Sequence, residues 1–211
     1  VDKQGQTSKN VIDRRAAGTH GIALVLGLLF GWLGARPSTP DPDAAEIAIT
    51  STALDRGQAF WAGRLPYYRE AKVVIFTSST DTPCGTASDA TGPFYCPADE
   101  RIYVDPAFLR AIPGELARAY VIAHELGHHV QNITAPVTPG VSLELQADCY
   151  AGVWMSAEQR AGHLQGGEID GAIAEAAAVG DTGTRDTWTH GDAASRVAAV
   201  TRGLTQGACP L

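Results

Sequence analysis

The chain has 211 residues, 45% hydrophobic and 18% charged, with a formal net charge of −7 and a pI near 5.3. That length suffices for one domain with a sizeable core plus an appendage. The acidic balance, without clustered Lys and Arg, excludes nucleic acid as a partner, because phosphate binding needs a concentrated basic face.

Residues 1–19 read as a basic tail carrying Lys3, Lys9, Arg14 and Arg15. Gly21–Ala35 is an uncharged apolar run, and His20 borders it. The run is shorter than the roughly 18 residues of a membrane helix, but Arg15 and Arg36 extend its reach by snorkelling. The positive-inside rule then predicts a cytoplasmic tail over 1–19, a single transmembrane anchor over 20–36 and the remainder outside a bacterial cell membrane. A cleaved signal peptide fits less well, since Leu33-Gly-Ala35 is a poor small-x-small cleavage site. Residues 37–43, rich in Pro, read as a stiff exposed linker.

The soluble domain is predicted over 44–211. It begins with a helix from Ala44 through Trp61, followed by short strands at Lys72–Thr77 and Arg101–Asp105. One of these strands is a candidate edge for pairing with an extended peptide. Four cysteines follow the apolar run, consistent with an oxidising compartment. Cys84 and Cys96 bracket a Gly/Ser/Thr/Asp loop and are predicted to pair; Cys149 and Cys209 then tie a helix to the C-terminal tail. Three connectivities exist for four cysteines. No C-x-x-C spacing supports a structural zinc.

His124-Glu125-Leu126-Gly127-His128 carries the chemistry. Residues i and i+4 share a helix face, about 5–6 Å apart, so the two imidazoles can grip one ion. Glu125 is rotated from them, placed to act as general base on a zinc-bound water rather than as a ligand. Ala119–Val130 contains no Pro and one formal charge, which marks a buried helix. A carboxylate buried there without a partner is costly, and a metal site removes that cost. Glu144 and Asp148 follow on a second helix, read over Leu143–Glu158 with Ser142 as N-cap. They too share a face. Glu144 is assigned as third ligand, with Asp148 accepting the other ring N–H of His124; the swapped assignment fits less well.

The remaining histidines divide. His129 is turned about 100° from His128 and reads as structural or surface. His163 lies in a Gly-containing turn and reads as exposed. His190 lies in a loop before Asp192, the predicted N-cap of Ala193–Thr205, and could donate to the oxyanion of amide hydrolysis.

His124-Glu-Leu-Gly-His-His-Val-Gln131 together with Leu143-Glu-Leu-Gln-Ala-Asp-Cys-Tyr-Ala-Gly-Val-Trp154 resembles the bacterial neutral zinc metallopeptidases, membrane-tethered members of the wider glutamate-zincin group. Ser8–Arg15, Cys84-Gly, Gly92–Asp99, Ile102–Asp105, Gly180-Asp181 and Thr189-His-Gly191 are similar to further blocks of that family, in the same order. Ile12 stands where the family usually has an acid, and Ala199 lies where an aromatic is expected. The resemblance implies His124, His128 and Glu144 as zinc ligands, Glu125 as base and His190 near the oxyanion. The fold expected is a mostly helical α+β zincin-like domain with a small sheet. The function expected is zinc-dependent hydrolysis of a peptide or protein substrate. The alternatives are a tethered zinc-stabilised binding module and a hydrolase of a non-peptide cell-wall amide.

Overall fold

A computed structural model describes residues 7–15, 41–135, 140–164, 167–182 and 190–209. Its sheet contains strands β1 (Val11–Asp13), β2 (Lys72–Ile75), β5 (Phe94–Cys96) and β6 (Arg101–Val104), in the order β1-β2-β6-β5. The first two pairings are parallel and β5–β6 is antiparallel. Val73, Val74 and Ile75 are all buried, so β2 is apolar on both faces, as a covered parallel strand should be. A separate hairpin of β3 (Ser79–Thr82) and β4 (Gly85–Ser88) leads into a short 3-10 turn at Asp89–Thr91. The Cys84–Cys96 disulfide ties that hairpin to β5.

Among the described residues, six helices complete the fold: α1 (Ala44–Ala62), α2 (Pro106–Ala111), α3 (Glu115–Thr134), α4 (Val141–Arg160), α5 (Glu168–Ala178) and α6 (Ala193–Gln206). The mostly helical α+β architecture agrees with the expectation. Leu54 of α1, Ile75 and Ile102 of the sheet, Ile122 and Leu126 of α3 and Met155 of α4 form one buried core. Asp105 caps α2 by accepting the Ala107 N–H, and Asp192 caps α6 by accepting the Ser195 N–H; each satisfies a backbone donor that a helix start leaves free.

Two helix contacts position the site. At the α3–α4 contact a Cβ on Gly127 would sit 3.0 Å from the Ala147 Cα. At the α4–α6 contact a Cβ on Gly152 would sit 2.3 Å from the Val200 carbonyl oxygen, and one on Gly203 2.1 Å from that of Cys149. The backbones therefore meet where side chains are absent. Ala199, where an aromatic was expected, is itself buried, so the last helix docks through small residues. The Cys149–Cys209 disulfide closes the same pair of elements, and both predicted pairings are formed.

Several expectations need correction. The N-cap of the second site helix is Gly140, and Ser142 lies inside the first turn. Neither β2 nor β6 is an edge; β5 is the edge that borders the site. The domain does not begin at residue 44. Val11, Ile12 and Asp13 pair with Val73, Val74 and Ile75. Arg15 bonds Asp41 and Asp43, and Ser8 bonds Asp55. A single crossing at 20–36 would put residues 7–15 and 44–209 on opposite faces of a bilayer, whereas hydrogen bonding holds them in one sheet. The predicted anchor over 20–36, with His20, lies outside the described residues. Among the described residues no helix is long and apolar enough to cross a membrane.

Candidate metal centre

Helix α3 presents His124 and His128 with ring centroids 4.8 Å apart and planes at 90°. Helix α4, held close at Gly127, brings Glu144 opposite them. His124 Nε2 lies 3.3 Å from one Glu144 oxygen and His128 Nε2 3.5 Å from the other. The three donors lie within 4.8 Å of one another. A tetrahedral zinc with arms of about 2.0–2.1 Å separates its ligand atoms by roughly 3.3–3.5 Å. The donor set and these two separations fit that ion.

Each imidazole is held from behind. His124 Nδ1 donates to Asp148 Oδ1 at 2.8 Å. His128 Nδ1 meets Gln131 Oε1 at 2.8 Å. Such partners orient the ring and set which nitrogen is left for a metal. Asp148 is wholly buried and takes further bonds from Tyr120 and from Arg196. Arg196, Tyr120 and Gln131 were not among the predicted site residues.

The electrostatics favour a cation at the centre. Burial alone would lower the His124 pKa, but Asp148, Glu144 and Glu125 outweigh it and lift it to about 10. Burial would raise the carboxyl pKa of Glu144, yet the two imidazoles hold it far below the ordinary range. Asp148 is likewise resisted by burial and held at about 2 by His124 and Arg196. A divalent ion bound between neutral imidazoles satisfies the same field.

Glu125 behaves differently. It is 7% exposed, and burial raises its pKa despite the nearby imidazoles. The Tyr95 backbone, on edge strand β5, faces the carboxylate and opposes that rise only slightly. A raised pKa suits a group that takes up and returns a proton near neutrality.

His124, Glu125, His128 and Glu144 line one cleft of about 470 Å³, walled by Pro93, Phe94, Phe108 and Val121 on an apolar side. His190 lines the same cleft. Its ring is more than half exposed, with Nδ1 3.7 Å from Asp181 Oδ1. Both the His190 and Gly191 N–H groups donate to the other Asp181 oxygen, which anchors the backbone at that point. His129 is wholly buried away from the centre, between the Arg69 carbonyl and the Tyr95 hydroxyl; it is structural. His163 is exposed and pairs with Glu158.

The model of the family described as "Putative neutral zinc metallopeptidase" matches residues 38–137 and 135–210. The chain is 32% identical to "Uncharacterized protein YpfJ" of Escherichia coli (strain K12), over 90% of this chain and 80% of that protein. It is 37% identical to "Uncharacterized protein Mb2605" of Mycobacterium bovis, over 76% of this chain and 67% of that protein. No solved structure matches.

Proposed function

The chain belongs to the "Putative neutral zinc metallopeptidase" family, and on that premise we propose that it is a zinc-dependent peptidase. The observation that carries the reading is the convergence of His124, His128 and Glu144, with Glu125 buried beside them. His124 Nε2, His128 Nε2 and the Glu144 carboxylate would hold the ion. When bound, zinc supplies a Lewis acid that polarises the scissile carbonyl and acidifies water.

The chain's own groups do the rest. Glu125 takes a proton from the attacking water at its carboxylate as the C–O bond forms, and delivers it to the departing amine as the C–N bond breaks. Asp148, through His124, and Gln131, through His128, keep the ligand nitrogens aimed. His190 donates to the oxyanion that develops at the carbonyl. Edge strand β5 receives an extended peptide, whose backbone pairs with its free edge. The apolar wall of Phe94, Phe108 and Val121 accepts a nonpolar side chain. The two disulfides support a reading in which this chemistry operates in an oxidising compartment outside the cytoplasm. Any attachment to a membrane through Gly21–Ala35 leaves residues 7–15 on the same side as the domain.

Metal analysis with proteolysis on the full chain tests the reading. Wild type should bind one zinc and cleave casein. Glu125→Gln should keep the zinc and lose about 100-fold or more in kcat. Undiminished cleavage by that variant would remove Glu125 from the reaction, and a zinc-loaded wild type that cleaves no peptide would favour a binding role.

A further inference from the structure

We propose that Gln131 is a positioning residue for this centre: one amide fixes the proton on His128 and ties that ring to the helix carrying Glu144. The inference rests on the zinc reading above. It starts from an acceptor that cannot change character. Gln131 is only 3% exposed and lies on the turn after His128. Its Nε2 is 2.7 Å from the Leu143 carbonyl oxygen and 3.0 Å from Gln146 Oε1. A backbone carbonyl only accepts. The amide group facing it is therefore the NH₂, which removes the usual ambiguity between the two ends of a glutamine.

The consequence passes along the side chain. With Nε2 committed, Oε1 faces His128 Nδ1 at 2.8 Å and can only accept. His128 must carry a proton on Nδ1. Its Nε2, the atom turned toward Glu144, is then the one left to ligate. Without that acceptor both tautomers compete, and the one protonated on Nε2 cannot bind metal through the nitrogen that faces Glu144. A carbonyl of α4 thus selects the ligating form of a histidine on α3.

The same amide acts mechanically. Leu143 immediately precedes Glu144, so the Nε2 bond clamps the first turn of α4 against the helix that carries both histidines. The close approach at Gly127 and Ala147 brings the two backbones within reach of one side chain. The two rings are also supported unequally. His124 rests on a carboxylate whose charge Arg196 balances; His128 rests on a neutral amide. A second carboxylate behind His128 would have no Arg196 of its own.

Full-length wild type, Gln131→Met and Gln131→Glu test this. The measurements are zinc affinity, by competition with a chromophoric chelator, and ¹⁵N–¹H spectra of the histidine rings. Wild type should show His128 protonated on Nδ1, with slow exchange. Gln131→Met, which keeps the volume and loses all three bonds, should bind zinc about 10–100-fold more weakly and lose that slowly exchanging proton. Gln131→Glu, which keeps the acceptor, should retain the Nδ1 proton and bind zinc more tightly than Gln131→Met. A bare Nδ1 in wild type would overturn the proposal, as would zinc affinity in Gln131→Met within about threefold of wild type. Should Gln131→Met not fold, the wild-type ring spectrum and Gln131→Glu still decide it. A wild type with the Nδ1 proton in place that binds no zinc would instead overturn the zinc reading and uphold the tautomer.

Discussion

The guanidinium of Arg196 lies edge-on to the Asp148 carboxylate, with Nε 2.8 Å from one oxygen and Nη2 2.8 Å from the other. Both side chains are almost entirely withdrawn from solvent. The pair crosses from α6 to α4, and Asp148 passes the constraint to His124. Truncating one partner of a buried pair leaves the other charge stranded, at a cost of about 3–5 kcal/mol. Arg196→Met should lose stability of that order in denaturant unfolding of the metal-free protein. Arg196→Lys, which keeps the charge without the two-pronged geometry, should lose less.

Acid should act through the same carboxylate. The folded-state pKa of Asp148 is depressed to about 2 from an ordinary 3.8. A depressed carboxylate contributes stability that is fully present above its unfolded pKa and is lost as pH falls through its folded pKa. The window is therefore from about pH 4 down to about pH 2. The stability difference between wild type and Asp148→Asn, measured without metal, should shrink across that window. A difference that stays constant there would mean Asp148 is not the group responsible.

His190 and Glu125 should separate kinetically from the ligands. His190→Ala leaves His124, His128 and Glu144 untouched, so zinc content should stay at wild-type level. The kcat should fall about 100-fold if an oxyanion donor is lost. KM should change much less. A rise in KM with unchanged kcat would assign His190 to substrate binding.

Gly203→Ala probes the crossing of α4 and α6. The added methyl would meet the Cys149 carbonyl oxygen at 2.1 Å, with the Val153 nitrogen at 2.7 Å. Backbone atoms cannot turn aside, so the helices must part. Overpacking of this kind costs about 1–3 kcal/mol, seen as a lowered Tm. Zinc affinity should fall as well, since Arg196 and Asp148 sit on the two helices that separate. Gly162→Ala is not an equivalent control, because Gly162 has φ 76° and the variant would be strained for a different reason; Gly171, with open space around it, should tolerate the change.

The convergence of His124, His128 and Glu144 was legible because helical spacing writes it locally: His124 with His128, and Glu144 with Asp148, each need only one turn. The contact between Asp148 and His124 followed from the same arithmetic. Arg196 carried no such mark. It lies 72 residues from His124, and one arginine on an amphipathic helix looks like solvated surface until the helix is placed. Gln131 was visible only as part of a motif, since its role depends on where α4 crosses. Gly140 stands as N-cap in place of Ser142, at φ 147° and with no side-chain cap hydrogen bond, so the start of α4 carries no polar-cap signal in the sequence. Strand β1 was missed for a plainer reason. Three residues pair in parallel with partners about 60 positions away, and parallel pairing leaves no hairpin signal in the sequence.

The seat of β1 bears on how the protein can be cut. A fragment starting at Ala44 would leave the backbone of Val73, Val74 and Ile75 without its neighbour. A flat apolar margin of that kind recruits whatever strand it meets, including another copy of itself. Clumping of such a fragment would then report a torn sheet, with helices α3 and α4 blameless.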